Sequence, residues 1–264
     1  MQIKRYIEIF AAYFKKGASE FAQYPGDQAI SAISLVIENT TSFVVLLVIV
    51  GAAGDIGGWN IYYISILYSF FMIIRSLNAA FLDGIWNIGN VYVRGGRFDV
   101  LLTRPLSPFL QLWGYRLDYS ALGLFFTGLG LNLWLLYKID FMFTGLLLLL
   151  YVVFILAGTA ITAAVYLIFN SLNFWLVRGN EIADLSQTVQ EFAKYPQHIF
   201  PRAFQFIMAF IIPYAFATYY PVSILTGRMP LRTIGVLVLV SFTICFAASI
   251  VWRCGVRSYN STGS

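Results

Sequence analysis

The longest uncharged stretch of this chain sets the strongest limit on its fold. No Asp, Glu, Lys or Arg occurs between residues 141 and 177, and about 20 apolar residues suffice to cross a bilayer as a helix. Only 11% of all residues are charged and 59% are hydrophobic, against about 25% charged residues in a soluble domain. A soluble fold would expose much of this apolar surface and aggregate. We therefore predict an integral membrane protein.

The hydropathy pattern predicts an all-α polytopic membrane protein with six transmembrane helices. Five of the spans follow from apolar runs alone: residues 29–53, 59–82, 109–137, 141–170 and 233–252. We treat residues 1–264 as one membrane domain. It has an N-terminal interfacial segment at 1–26, a membrane bundle at 29–252 and a cytoplasmic tail at 253–264.

The remaining crossing has two interpretations. Apolar residues alone place it at 203–222, and residues 171–200 then form an amphipathic helix on the cytoplasmic surface. Alternatively, the polar segment 174–195 crosses inside a bundle, and residues 196–224 form a proline-broken re-entrant hairpin. Irregular backbone at membrane depth is tolerated only where protein or water covers it. Both interpretations give six crossings.

Residues 3–21 predict an amphipathic helix that precedes the first span. Its apolar side chains recur three or four positions apart and share one face: Ile3, Ile7, Phe10, Phe14, Ala18 and Phe21. Such a helix lies on the membrane surface rather than crossing it, and packing against a partner is the alternative. The pair Pro25-Gly26 ends it.

The distribution of Lys and Arg predicts the orientation. Nine of them fall on one side of the predicted spans: Lys4, Arg5, Lys15, Lys16, Arg94, Arg97, Arg104, Arg253 and Arg257. Three fall on the other side: Lys138, Arg228 and Arg232. The positive-inside rule then places both termini in the cytoplasm. Because the basic residues lie in separate short loops, the net charge of +5 does not indicate a nucleic-acid-binding surface.

Four charged side chains fall inside the five spans predicted from apolar runs, namely Glu38, Arg75, Arg116 and Asp118. At 1.5 Å per residue, all four lie roughly 10–14 Å from the cytoplasmic boundary. Charges at this depth are costly and usually face a bundle interior or a cavity. They predict either a structural ion-pair layer that joins three helices or a polar vestibule through which a substrate enters.

The basic loop at residues 94–105 predicts a short helix at the cytoplasmic surface. Gly95 and Gly96 permit a sharp turn before it, and Pro105 ends it. Three apolar side chains would lie along one edge of the helix: Phe98, Leu101 and Leu102. The pattern fits either docking into a groove of a partner protein or anchoring at the membrane surface.

Three segments of the chain resemble the permeases of the ABC transporter type-2 (exporter) class, especially its bacterial branch of ABC-2 family transporter proteins. They are Gly-Gly-Arg-Phe-Asp-Val-Leu-Leu-Thr-Arg-Pro-Leu-Ser-Pro at 95–108, Glu-Phe-Ala-Lys-Tyr-Pro-Gln-His-Ile-Phe-Pro-Arg at 191–202 and Ile-Pro-Tyr-Ala-Phe-Ala-Thr-Tyr-Tyr-Pro-Val at 212–222. Their order and spacing agree with that branch, and the resemblance covers nearly the whole chain.

The resemblance implies a permease subunit that moves a substrate from the cytoplasm or the inner leaflet outward. A separate ATP-binding-cassette ATPase, in two copies, would bind ATP and Mg²⁺, and this chain itself would be non-catalytic and bind no cofactor. The motif GxxxxGK[ST] is absent from the chain, in keeping with a separate ATPase. A second permease chain, the same or different, would complete the unit in the bacterial cytoplasmic (inner) membrane, in contact with its lipids.

The resemblance also implies roles for particular segments. Residues 1–26 would form the connecting helix, and residues 94–105 the coupling helix that docks on the ATPase. The coupling residues would be Arg94, Arg97, Phe98, Asp99, Leu101, Leu102 and Arg104. The resemblance favours the polar segment 174–195 as the fifth span, followed by the hairpin on the outer face. That segment is more polar than the family pattern, which favours a pathway-lining or buried role for Glu181, Asp184 and Gln187.

Two other classes of protein fit the sequence less well. An ion-coupled secondary transporter would need membrane carboxylates without compensating arginines, whereas Glu38 and Asp118 have candidate partners. An intramembrane enzyme is disfavoured because His198 is the sole histidine and Ala52 replaces the first glycine of a Gly-x-Gly-Asp protease motif. The two cysteines lack the spacing of a zinc site. The substrate is not specified by these patterns.

Overall fold

The computed structural model describes residues 2–55, 57–115, 117–176 and 179–259. These ranges contain twelve α-helices: α1 (Gln2–Gln23), α2 (Pro25–Ala53), α3 (Ile61–Trp86), α4 (Phe98–Leu102), α5 (Pro108–Tyr115), α6 (Leu122–Lys138), α7 (Gly145–Ser171), α8 (Gly179–Gln190), α9 (Arg202–Phe206), α10 (Tyr214–Ala217), α11 (Tyr219–Leu225) and α12 (Thr233–Ser258). Short 3-10 and π-helical turns extend several of them.

Five helical stretches within these ranges are long and apolar enough to cross a membrane. They are Pro25–Ala52, Ile61–Val93, Tyr119–Lys138, Gly145–Phe174 and Thr233–Ser258. A helix satisfies its own backbone hydrogen bonds, which a lipid environment requires. The predicted all-α polytopic fold is therefore confirmed.

The bundle has two distinct ends. At one end, Phe98 of α4 contacts Phe174, which follows α7, and Trp252 near the end of α12. At the other end, Trp59 stacks on Tyr219 of α11 at a centroid distance of 5.3 Å. We call these the α4 end and the Trp59 end.

The polar helix α8 runs from the α4 end towards the Trp59 end. Gly179 at its start lies against Asn173, in the turn after α7, and the ring of His198 lies 6.3 Å from that of Trp59. With the 3-10 turn Glu191–Lys194, the helix is about 26 Å long, close to the ~30 Å of a hydrocarbon core. We conclude that this polar segment is the fifth crossing, and that the placement from apolar residues alone is wrong.

The segment after α8 enters and leaves the bundle at the same end. Its two helical arms, Arg202–Ile211 and Tyr214–Leu225, are bent by 70° relative to each other. His198, which precedes the first arm, and Arg228, which follows the second, both lie against Trp59. A chain that starts and finishes at one ring forms a re-entrant hairpin, as the family resemblance implied.

The tip of this hairpin reaches the middle of the bundle and is covered by protein. Tyr214 shares a 2.8 Å hydrogen bond with Ser186 of α8, and the Thr218 hydroxyl donates to the Ala193 carbonyl over 2.6 Å. All four residues are buried. These contacts satisfy polar groups that lipid could not, which explains how an irregular backbone persists at this depth.

The third crossing begins later than predicted, because a capped turn separates α5 from α6. The Asp118 carboxylate accepts hydrogen bonds from the Ser120 backbone N–H at 3.0 Å and from its hydroxyl at 2.6 Å. The Asp118 N–H donates to the Ala80 carbonyl of α3 at 2.9 Å. The third candidate crossing begins at Tyr119, so Asp118 lies just before it rather than two turns inside it, which corrects the span predicted at 109–137.

The amphipathic helix α1 packs part of its apolar face on α5. The rings of Phe10 and Phe14 lie 4.8 Å and 6.0 Å from that of Trp113. The side chains of Ile3 and Ile7 lie outside the described part of the structure. The bundle therefore covers part of the apolar face of α1, a helix that the sequence predicted to lie on the membrane surface.

A buried amide joins three of the crossings. Asn132 of α6 donates to the Ile66 carbonyl at 3.1 Å and to the Ser69 hydroxyl at 2.8 Å, both on α3. Its carbonyl oxygen accepts a hydrogen bond from Tyr151 of α7 at 3.0 Å. An unpaired amide would be costly to bury here, so the interaction favours one register of the three helices.

A glycine allows α7 to approach the hairpin tip closely. A Cβ atom on Gly158 would lie 2.5 Å from the Ala217 carbonyl oxygen and 2.5 Å from Cδ1 of Ile74. By contrast, a Cβ atom on Gly130 of α6 would meet no heavy atom within 4 Å.

We expect Gly158→Ala to lower the free energy of unfolding by about 1–3 kcal/mol, because the methyl group would push the hairpin away from α7. Gly130→Ala is the matched control and should leave stability unchanged or slightly increased. Thermal unfolding of the purified variants in detergent measures both. Equal unfolding temperatures for the two variants would contradict the close packing of α7 on the hairpin.

Candidate coupling helix and membrane-embedded polar site

The short helix α4 is fixed to the bundle by Phe98, whose side chain is fully buried. Three rings surround it, with centroids 4.8–6.2 Å away: Tyr259, Phe174 and Trp252. Leu101 is buried as well, whereas Leu102 is exposed. The three residues predicted to dock on a partner therefore have different roles. Phe98 and Leu101 pack α4 against the bundle of its own chain, and Leu102 remains available to a partner.

The outward surface of α4 combines two apolar side chains with several basic ones. Val100 and Leu102 are about half exposed, at 51% and 46%. The three arginines predicted to take part in coupling are also exposed: Arg94, Arg97 and Arg104. Asp99 instead faces Tyr259. Burial of Tyr259 raises the pKa of its hydroxyl, and the neighbouring Asp99 carboxylate raises it further. A partner approaching α4 meets Val100 and Leu102 within a basic rim.

The loop around α4 is held by its own backbone geometry and by one side chain. Gly96 has a φ of 65°, a conformation that other residues rarely adopt, and it makes the turn that the sequence predicted. The Gln111 amide of α5 donates to the Leu101 carbonyl at 2.8 Å and the Leu106 carbonyl at 2.9 Å. This bridge gives α4 a fixed position relative to α5.

An ion-pair network joins three crossings in the middle of the bundle. Arg75 of α3 contacts Glu38 of α2 at 3.1 Å and Glu191, just after α8, at 2.6 Å. Lys194 extends the network to the other oxygen of Glu191, at 2.8 Å. One guanidinium thus links α2 to the polar fifth crossing.

Of the four residues in the predicted charge layer, Glu38 and Arg75 lie together, whereas Asp118 makes other contacts. Glu38 and Arg75 form an ion pair, but Asp118 caps the turn that precedes α6, and Arg116 lies outside the described residues. Glu191 takes the place predicted for a second acid. It lies 116 positions from Arg75 along the chain, and the sequence showed no pattern that relates the two.

The network is deep in the membrane but not sealed inside the chain. Glu38 lies about 20 Å from the start of α2, and Arg75 lies about 21 Å from the start of α3. Even so, 59% of the Glu38 side chain and 38% of the Glu191 side chain are exposed. Charges at this depth are too costly to face lipid tails, so water or another protein chain must cover this surface.

The same open surface continues along α8. Its outward face carries the three side chains predicted to line a pathway: Glu181, Asp184 and Gln187. The opposite face, with Ala183, Ser186 and Gln190, is buried against the bundle. Because residues three or four apart share a helix face, Glu191 continues this stripe. We call Glu181, Asp184, Gln187 and Glu191 the polar face of α8.

The long apolar helices, together with a charged face at membrane depth, define a multi-pass membrane protein. The family model for ABC-2 family transporter proteins matches residues 36–263, and the chain belongs to that family. It is therefore a permease of an ABC transporter system, which includes an ATPase partner. No curated protein and no solved structure matches this chain.

Permeases of this family are normally non-catalytic membrane subunits. Across the described ranges, no three His, Cys, Asp or Glu side chains come together as a metal site.

We expect Arg75→Ala to destabilise the protein by about 2 kcal/mol or more, because it leaves Glu38 and Glu191 without their shared partner at membrane depth. Arg232→Ala, on an exposed loop residue, is the control and should change stability little.

Adding Glu38→Gln to Arg75→Ala should recover most of the lost stability, since Glu191 keeps its ion pair with Lys194 and Glu38 no longer carries an unpaired charge. Thermal unfolding in detergent measures all of these variants. Full stability of Arg75→Ala alone would show that the network contributes nothing to the fold.

Proposed function

We propose that this chain is the membrane half of a bacterial ABC exporter, moving a substrate from the cytoplasm or inner leaflet outward. Family membership supplies the transporter class. The observation that supports a transport path in this chain is the polar face of α8, which crosses the membrane with its acidic and amide side chains exposed. Lipid tails cannot cover such a face.

A second permease chain, identical or different, would cover this face and enclose a polar path. Glu38 and Glu191 contact the same guanidinium, that of Arg75, so Glu38 lies close to the end of the polar face of α8. The path would therefore be bordered by α2 and α8 of each chain. Water between the two chains would solvate the exposed carboxylates and give a substrate a route past the hydrocarbon core.

The exposed surface of α4 would dock on the ATPase. Val100 and Leu102 offer an apolar contact, and the surrounding arginines suit a groove with an acidic rim. Two ATPase copies, each binding ATP and Mg²⁺, would serve the two permease chains. Since Phe98 contacts Phe174 and Trp252, a displacement of α4 would be passed to α7 and α12 as a rigid-body movement.

The basic residues support the orientation. The α4 end carries Arg94, Arg97 and Arg104 beside the last turns of α12, whereas Arg228 lies at the Trp59 end. The positive-inside rule places the more basic α4 end in the cytoplasm of the inner membrane. Both termini would then be cytoplasmic, and the hairpin would open to the outer face.

The ion-coupled alternative gains no support from the network. A proton-coupled carrier would need an unpaired carboxylate at this depth, whereas Glu38 and Glu191 both pair with Arg75.

We expect the double variant Val100→Asp with Leu102→Asp to lose the ATPase subunit on mild-detergent purification from native membranes. The introduced carboxylates oppose an acidic rim and remove the apolar contact, so retention should fall roughly tenfold or more. Leu231→Asp is the matched control, since Leu231 is similarly exposed, at 56%, but lies beyond the hairpin.

Mass spectrometry of the purified complexes gives the retained ATPase, and it also shows whether the second permease is the same chain. Equal retention in the α4 variant and the control would overturn the docking assignment. Purification of the unaltered chain without any ATPase would contradict the proposed function itself.

A further inference from the structure

We propose that an anionic phospholipid occupies a groove between α7 and α12, with its phosphate at Arg253 and one acyl chain along the groove. The groove is a cavity of about 580 Å³, within the range of small-molecule sites. Its walls are almost entirely apolar and include Phe109, Ala160, Ala164, Cys245, Ala248 and Trp252. This proposal concerns lipid binding and does not depend on the proposed transport function.

The groove exists because small side chains face each other where two membrane helices meet. Ala160 and Ala164 of α7 lie opposite Ala248 of α12, while the larger rings of Trp252 and Phe109 close the α4 end. Both helices cross the membrane, so the groove opens onto acyl chains. An apolar gap in that position is filled most readily by a lipid tail, which gains the packing contacts that a void forfeits.

The mouth of the groove has the chemistry of a phosphate site. Arg253 and Ser107 are its polar lining residues at the α4 end. The Arg253 side chain is exposed, and in the described part of the chain it has no acidic partner. Its guanidinium can donate two parallel hydrogen bonds to a phosphate. Ser107 accepts a hydrogen bond from the Leu110 N–H at 3.3 Å, which leaves its hydroxyl proton to donate.

The distances suit one lipid molecule. Cys245 lies about 12 Å from Arg253 along α12, at 1.5 Å per residue. A phosphate at Arg253 would therefore sit near the end of the helix, with the tail running inward past Cys245. The positive charge at the mouth favours an anionic headgroup over a zwitterionic one.

An occupied groove would also support the coupling helix. Trp252 lines the groove, and its ring lies 6.2 Å from that of Phe98 in α4. A lipid tail would thus pack against the same indole that holds Phe98 in place.

The two native cysteines provide the test. Cys245 lines the groove, and Cys254, on the same helix, does not. The full chain is reconstituted as Cys254→Ser, which reports on Cys245, and as Cys245→Ser, which reports on Cys254. Labelling rates with uncharged N-ethylmaleimide are compared in phosphatidylcholine vesicles with and without phosphatidylglycerol.

We expect phosphatidylglycerol to slow labelling of Cys245 roughly fivefold, since the free-site fraction falls by the factor 1 + [L]/Kd and [L] near four times Kd gives this value. Labelling of Cys254 should be equal in the two vesicles. Arg253→Gln should abolish the protection of Cys245. Arg257→Gln removes the same charge from the same helix without touching the groove, and it should retain the protection.

Three outcomes would overturn the proposal. The first is equal labelling of Cys245 in the two vesicles. The second is equal loss of protection in Arg253→Gln and Arg257→Gln, which would mean a general surface-charge effect. The third is a Cys245 thiol that reacts in neither vesicle, which would mean that a protein surface or an uncharged lipid covers the groove. Labelling of Cys254 in each Arg variant verifies that the chain is folded and inserted.

Discussion

The structure depends on one guanidinium in the middle of the membrane. Arg75 contacts Glu38 on one side and Glu191 on the other, so a single residue joins the first, second and fifth crossings. A buried charge is costly unless it is paired, and this requirement makes the three segments interdependent. The helix with the least apolar character is retained in the bundle because its acid completes an ion pair that α2 and α3 need.

The polar fifth crossing explains the unusual hairpin that follows it. The buried face of α8 carries Ser186 and Gln190, whose side chains require polar partners. The hairpin supplies one of them in Tyr214, and Tyr166 of α7 donates a hydrogen bond to Gln190. The hairpin backbone gains cover from the same contacts. In the described part of the chain the outward face of α8 is exposed, and this asymmetry is the physical basis for proposing a second permease chain opposite it.

The sequence predicted the parts of the fold that depend on local patterns. The long apolar runs, the amphipathic face of α1 and the turn at Gly96 are all present. The fifth crossing could not be placed from hydropathy, because its stability comes from side-chain partners rather than from apolar composition. The resemblance to the ABC-2 permeases placed it correctly.

The candidate site was less predictable, since its contacts join distant positions. The pairing of Arg75 with Glu191 spans 116 positions, and nothing in either local sequence indicates it. Asp118 was assigned to the layer from its position in an apolar run, but its short side chain caps a turn instead. Phe98 was taken as a docking residue because its spacing matched Leu101 and Leu102. Its burial follows from rings on α12 and beyond α7, which no local pattern reveals.

Cysteine accessibility in native membranes shows whether the polar face of α8 borders water in the assembled transporter. Gln187→Cys and Ile250→Cys would each be made in a chain that carries Cys245→Ser and Cys254→Ser. Both positions are exposed in the single chain, and both lie about 12 Å from the α4 end of their helix. We expect a charged, water-soluble thiol reagent to modify the thiol at position 187 and to spare the one at position 250. Equal protection of both thiols, or modification only at position 250, would contradict it.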